Sequence, residues 1–396
     1  MRRFPALFFF LALLCPGVCA AQTYLVLPFF NHTGNGNLDW IGESLGENVR
    51  DTLAAEGLLT ISREDRTEAY RRLAVRPYTL LTKATVMKMG EVLDAGRVIY
   101  GRFELKPGGE KVGSRGNLHI TVQILDLGKL RAGPEYEALG ALEDLAALQT
   151  HIAWQTLQFV KASGAPQEDE FRRMRPAVRV DAMEYYIRGL LAGNDEQKHR
   201  FFTQAARLDP GFAAPCFELG KMQWTAENYR EAADWLQKVP NRDSHYREAM
   251  FFAGISRFYL GEYAAAQSAF ETIVREVPLN EVHNNLGAAQ SRRNLADAAQ
   301  SFERALEGDP NDPEYLFNVG YTYWKRGDFD RAADHLRRLL QRDPDDQEAT
   351  ALLGRCLQKS GPRAGDTKLE GLERLKHEYN ESAFLQLRSI LESKKP

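Results

Sequence analysis

A chain of 396 residues has room for two or three domains, and its 44% hydrophobic and 27% charged residues are those of an ordinary globular protein. The formal net charge of −3 leaves no basic surplus, which excludes a nucleic-acid partner held by a positive face. Eight scattered histidines, four cysteines and no HExxH or CxxC spacing give no metal signal, and no cofactor is expected.

Residues 1–21 stand apart from the rest. Arg2 and Arg3 precede a ten-residue apolar run, Ala6 to Cys15, and Val18-Cys19-Ala20 supplies small residues for cleavage, the three-part plan of a secretory signal peptide. Ten apolar residues are too few to cross a bilayer. Cleavage near Ala20/Ala21 takes the charge from −3 to −5 by removing Arg2 and Arg3, and leaves a periplasmic or secreted chain with no later membrane span. Leu14 and Val18 are poor residues ahead of an acylated cysteine, so a lipoprotein is not expected. Only Cys216 and Cys356 would remain, both in helical patterns, and both read as small core residues.

Residues 22–163 carry no repeat and read as a small mixed sheet with helices over one face. Strands are predicted at Tyr24 to Phe30, Leu58 to Ser62, Val98 to Leu105, Leu118 to Leu127 and Tyr136 to Ala141, the third and fourth as an antiparallel pair around a glycine-rich loop at 106–116. Helices are predicted at Trp40 to Glu56, where Ile41, Leu45, Val49 and Leu53 form a stripe, and at Asp65 to Ala74, Thr82 to Ala95 and Leu142 to Ala162. The order strand, Gly34-Asn35-Gly36, helix raises the question of a phosphate cradle. Residue 39 is Asp where a dinucleotide fingerprint needs Gly, no GxxxxGK[ST] occurs, and an acid at the helix start repels a phosphate. Asp39 reads as a residue that starts the helix.

VLPFFNHTGNGNLDWIGESLGENVRDTL, ATVMKMGEVLDAGRVIYGRFEL and LHITVQILDL resemble the N-terminal α/β domain of TolB and its envelope relatives, the FlgO- and CsgG-like group included. That resemblance implies an interaction module of the bacterial cell envelope without catalytic residues. Ser163 to Val180, polar with two prolines, reads as a linker, with 164–180 between the two domains.

Residues 181–361 repeat. Gly220, Gly254, Gly287, Gly320 and Gly354 are 33 or 34 apart; Ala232, Ala266, Ala298 and Ala332 follow eleven or twelve later, then Leu236, Phe270, Phe302 and Leu336. The spacing predicts pairs of antiparallel helices, close at glycine and alanine, stacked as a solenoid because one pair cannot bury its faces alone. The large apolar residue is expected to fill space against the next unit. Pro240 comes early and predicts a shortened second helix, and the unit at 347–361 has only its first helix. Residues 369–393, within the terminal region 362–396, read as an amphipathic capping helix.

PEYLFNVGYTYWKRGDFDRAADHLRRLLQRDPDD, residues 313–346, resembles the tetratricopeptide repeat (TPR) consensus, and about five units plus a half share its phase. The resemblance implies that positions 2, 5, 9 and 12 of each first helix line a concave groove. Here they bring together Tyr186, Phe217, Lys221, Trp224, Phe251, Phe258, Asn284, Phe317, Tyr321, Trp324 and Arg355, with Glu248, Glu281, Glu314 and Glu348 recurring at position 2. Two readings remain for these residues: an aromatic groove with an acidic edge for an extended or helical peptide, or packing between first helices with glutamates that favour helix N-termini. The Lys/Asn pattern with which some family members grip a terminal carboxylate is absent. The expected fold class is α+β: a small mixed-sheet sandwich followed by an all-α TPR solenoid. The expected function is that of an exported non-enzymatic scaffold whose partners are other envelope proteins. The alternative is a carbohydrate- or lipid-handling component that stacks sugar rings on the aromatics.

Overall fold

The computed structural model describes residues 22–106, 116–161, 164–175, 177–363 and 371–393. The signal-peptide reading and most of the glycine-rich loop lie outside the described residues.

The N-terminal half is built from β1 (Tyr24–Val26), β2 (Phe30–Asn31), α1 (Asp39–Ala55), α2 (Arg63–Arg72), α3 (Lys83–Val92), β3 (Arg97–Lys106), β4 (Asn117–Asp126), β5 (Arg131–Ala141), α4 (Leu145–Val160) and α5 (Glu168–Met174). β1 and β2 lie parallel to successive stretches of β3, and β3, β4 and β5 form an antiparallel meander. β1 and β2 are separated at Pro28, which has no N–H to donate; the Phe29 N–H turns to the Gly42 carbonyl of α1 instead (3.0 Å). Gly42 allows that approach, since a Cβ there would sit 2.0 Å from the Phe29 oxygen. Leu58 to Ser62, expected as a strand, makes one bridge, Tyr24 to Thr60.

Both faces of the sheet are covered, where the sequence reading has helices on one. Val26, Ile99, Phe103 and Val122 meet α1 and α4, while Leu25, Leu27, Val98 and Leu125 meet α2 and α3. Alternate residues of a strand point to opposite faces, and Tyr24 to Phe29 is apolar at both parities. Arg66 is buried against Glu43 and Glu47 and donates to the Val26 carbonyl (3.2 Å), tying α2 to α1 and β1. The expected linker is partly structured: α5 lies inside it, and Phe171 is fully buried in the same core.

The helical half pairs α6 (Val180–Leu190) with α7 (Asp195–Leu208), α8 (Ala213–Thr225) with α9 (Tyr229–Leu236), α10 (Tyr246–Tyr259) with α11 (Tyr263–Glu276), α12 (Asn280–Arg292) with α13 (Ala298–Gly308) and α14 (Pro313–Lys325) with α15 (Phe329–Leu340); α16 (Gln347–Leu357) and α17 (Glu381–Ser393) follow. The repeated glycines are where the helices of one pair touch. A Cβ would meet Leu236 at 2.5 Å from Gly220, Phe270 at 2.7 Å from Gly254 and Phe302 at 2.8 Å from Gly287. The large apolar residue of each second helix therefore fills space against its own unit's glycine. Gly354 has nothing within 4 Å, and among the described residues no helix lies between α16 and α17 to pair with it as a second helix. α9 is the short second helix that Pro240 predicts. Met183 and Ile187 of α6 join the core that α1 and α4 build, so the two halves share apolar packing.

Residues 372–380 depart most from the sequence reading. A helix is expected over 369–393; among the described residues it begins at Glu381, and residues 372–380 carry neither helical nor strand structure. They run along the first helices.

Candidate functional site: the groove of first helices

The first helices α12, α14 and α16 present acids at their N-termini and a cation in their last turns, the order that the helix dipole favours. Asp312 caps α14 by accepting from the Tyr315 N–H, and Asp346 caps α16 by accepting from the Ala349 N–H. Glu281, Glu314 and Glu348 lie in the first turns of α12, α14 and α16, and Arg292 and Lys325 in the last turns of α12 and α14. The groove thus has an acidic rim and a basic rim.

Between the rims, Asn285 and Asn318 occupy the same place in consecutive repeats, two residues before the glycine. Asn318 is fully buried. Its Nδ2 donates to the Arg374 carbonyl and its Oδ1 accepts from the Arg374 N–H, both at 2.8 Å. Asn285 repeats the pair on Lys376, again at 2.8 Å each. Asn284 adds a donor to the Arg374 carbonyl (2.8 Å), and its Oδ1 accepts from Asn318 (2.7 Å). Residues 374 and 376 are alternate, so the segment is read as an extended strand is, at every second residue. It runs antiparallel to the order of the repeats.

Side chains follow the same alternation. The Arg374 guanidinium lies 3.6 Å over the Phe317 ring and pairs with Asp346 (2.6 Å) and Glu348 (2.9 Å). Lys376 Nζ reaches Asp312 (2.6 Å) and Glu314 (2.7 Å). Glu373 points to the opposite rim, where it accepts from Ser291 (2.6 Å) and pairs with Arg292 (2.8 Å) and Lys325 (3.7 Å). Leu375 is buried among the apolar residues of the central repeats. Burial by itself pushes the Asp346 carboxyl up, but its hydrogen bonds to Arg374 and to backbone N–H groups outweigh this and hold it below the usual range.

The sequence-predicted residues divide. Asn284, Phe317, Tyr321, Phe251 and Trp224 meet the segment: the Tyr321 hydroxyl accepts from the Gly371 N–H (3.1 Å), and the Phe251 and Trp224 rings face Tyr379 and His377 at 5.2 and 6.0 Å. Phe258 lies beside it, under the Arg292 guanidinium. Trp324 stacks on Tyr321 and donates to the Ser360 carbonyl (2.8 Å), and Arg355 meets the Ser360 hydroxyl. Phe217 packs on His245, and Lys221 is paired with Glu248 (3.0 Å). Tyr186 sits away from the groove, against Phe202 and Phe212 near α1. Sequence reasoning missed Asn285 and Asn318, at position 6 and not 5. A buried-face asparagine recurring in two adjacent units was the available signal. Of the glutamates at position 2, three serve the segment: Glu314, Glu348 and Glu281, whose carboxylate accepts from the Asn380 N–H (2.8 Å). Glu248 does not.

The GNG loop is closed by its own side chains. Asn31 donates to the Asn35 carbonyl and to Asp39, Thr33 donates to Asn31, and Asn35 caps the turn that follows.

Sequence models of the tetratricopeptide repeat family match residues 253–313 and 289–356. The helix pairs over residues 253–356 are TPR repeats. The chain is 27% identical over 187 residues to the bovine BBSome complex member BBS4, covering 44% of this chain and 35% of that protein. It is 28% identical over 182 residues to the yeast anaphase-promoting complex subunit CDC16, 42% of this chain and 21% of that one. A TPR repeat-containing protein of Pseudomonas aeruginosa is 33% identical over 66 residues, 17% of this chain and 63% of its own length. The chain thus spans about a third or less of the two longer relatives. Among solved structures, MamA of Desulfovibrio magneticus superposes with a TM-score of 0.39 at 20% identity, over 43% of this chain and 99% of that one. YrrB, described as a TPR protein with an unusual peptide-binding site, gives 0.35 at 20%, over 49% and 92%.

Proposed function

We propose that this protein is a non-catalytic scaffold of the bacterial cell envelope, exported by its N-terminal leader, whose TPR groove holds an extended peptide of a protein partner while the N-terminal α/β domain, TolB-like by resemblance, docks a second. The observation that carries the groove reading is the repeated asparagine clamp. Asn285 and Asn318 each satisfy both main-chain polar groups of one residue, a chemistry that suits an extended backbone of any sequence. Two of the relatives are named as members of multi-protein complexes, which fits a scaffold. With residues 371–380 in place, Phe251, Phe317, Tyr321 and Trp324 are all at most 2% exposed, so this form of the groove offers no open ring face for sugar stacking.

A photo-crosslinking residue placed in the native chain at Glu348 or Lys325, on the two rims, should join a partner polypeptide, while one at Arg337 on α15 should not. Equal yields from both places, or none from the rims, would count against the groove. Envelope fractionation with N-terminal mass analysis tests export: a mature N-terminus near residue 21 is expected, and a cytosolic chain still beginning at Met1 would overturn it.

A further inference from the structure

The groove already holds a peptide, and it belongs to this chain. Resting on the reading of the groove as a peptide site, we infer that residues 371–380 are a built-in competitor: a partner enters as an extended segment with the same alternation, acid then cation then apolar then cation, and it binds only where residues 371–380 have left.

Three observations carry this. First, the hold on the backbone is independent of sequence, since Asn285 and Asn318 touch only main-chain atoms of residues 376 and 374. Any extended chain satisfies them, so a partner and the chain's own segment compete for the same four hydrogen bonds. Second, selectivity comes from the rims. The acidic rim takes Arg374 and Lys376, and the basic rim takes Glu373, so the sequence that fits is written in the segment itself: Glu373-Arg374-Leu375-Lys376. Third, the segment is only partly buried. Leu375 and Glu373 are buried and Leu372 and Tyr379 pack against the array, but Arg374 and Lys376 are about a fifth exposed, and Glu378 and Asn380 are exposed. The exposed part of the hold exchanges its hydrogen bonds and ion pairs with water at a modest cost.

Covalent connection makes the competition strong. Within one chain the effective concentration of a short-tethered ligand is on the order of millimolar, so a free peptide with an intrinsic Kd of ~10 µM would bind the intact protein about 100-fold more weakly. Removing the competitor restores that factor.

The test uses the full chain, a fluorescent synthetic peptide of residues 370–382, and hydrogen exchange at residues 371–380. Two tail variants are compared with the wild type: R374E/K376E, which reverses charge against the acidic rim, and R374E/L375D/K376E, which also removes the buried leucine. The groove is untouched in both. The expected result is rapid exchange at 371–380 and anisotropy-measured affinity at least ten-fold above wild type in one or both variants. Equal peptide affinity in all three chains, with 371–380 released in the variants, would overturn the competition and leave the groove reading standing. A released segment with no peptide binding would overturn the groove reading itself. Segments that stay protected in both variants, or a wild-type dimer whose segments lie in each other's grooves, would also overturn the inference.

Discussion

Asn318→Ala should detach the segment more than it weakens the fold. The side chain makes three hydrogen bonds: two to the Arg374 backbone at 2.8 Å and one to Asn284 at 2.7 Å. A typical intramolecular hydrogen bond contributes about 1 kcal/mol net. Losing the two that reach the segment costs about 2 kcal/mol of attachment, roughly 30-fold in the bound-to-released ratio. The third, to Asn284, lies within the array and costs about 1 kcal/mol of its stability. Hydrogen exchange separates the two effects: amides of 371–380 should exchange roughly 30-fold faster, while the slowest amides of α12 and α14 change only by the smaller amount. Unchanged exchange at Arg374 and Lys376, or a loss larger in the array than in the segment, would show that Asn318 is a core residue whose contact with the segment is incidental.

Other perturbations follow from the packing and the charges. Gly254→Val should lose about 1–3 kcal/mol in denaturant unfolding because a Cβ already falls 2.7 Å from Phe270, whereas Gly354→Ala should be neutral or gain about 0.5–1 kcal/mol as helix propensity with nothing within 4 Å to clash. Acid should release the segment. Asp346 is held below its ordinary value in the bound state, so its contribution is present above the unbound carboxylate pKa and is lost as pH falls through the depressed one; exchange at 371–380 should rise in that acid range at pH values where the array stays folded. In the N-terminal domain, Arg66→Met strands Glu43 and Glu47 in a dry site and should cost about 3–5 kcal/mol, with Glu43→Gln/Arg66→Met recovering part of it.

The repeats were legible because their signal is steric and periodic. Gly220, Gly254 and Gly287 are required by the contact with Leu236, Phe270 and Phe302, and Pro240 shortens α9 by chemistry that a sequence shows directly. In the N-terminal half, the stripe Ile41, Leu45, Val49, Leu53 and the alternation of β4 gave those elements to within a residue or two. Residues 371–380 were misread for a physical reason. Glu, Arg, Leu and Lys are good helix formers at amphipathic spacing, and only the distant Asn285 and Asn318, with two charged rims, make the extended form win. Positions 2 and 5 of the first helices pointed to the correct side of the array. That the chain itself would lie there could not be read from them, because the contacts are about 60 to 90 residues apart in sequence.

The pairing of one asparagine with every second segment residue makes the array a ruler. One repeat of 33 residues advances the groove by two residues of guest chain, from Arg374 at Asn318 to Lys376 at Asn285. Side chains of an extended strand alternate with period two, so each step keeps parity. An array lengthened by duplicating a whole repeat would therefore read a longer guest while still turning the same set of its side chains toward the acidic rim. A guest register shifted by one residue would reverse them.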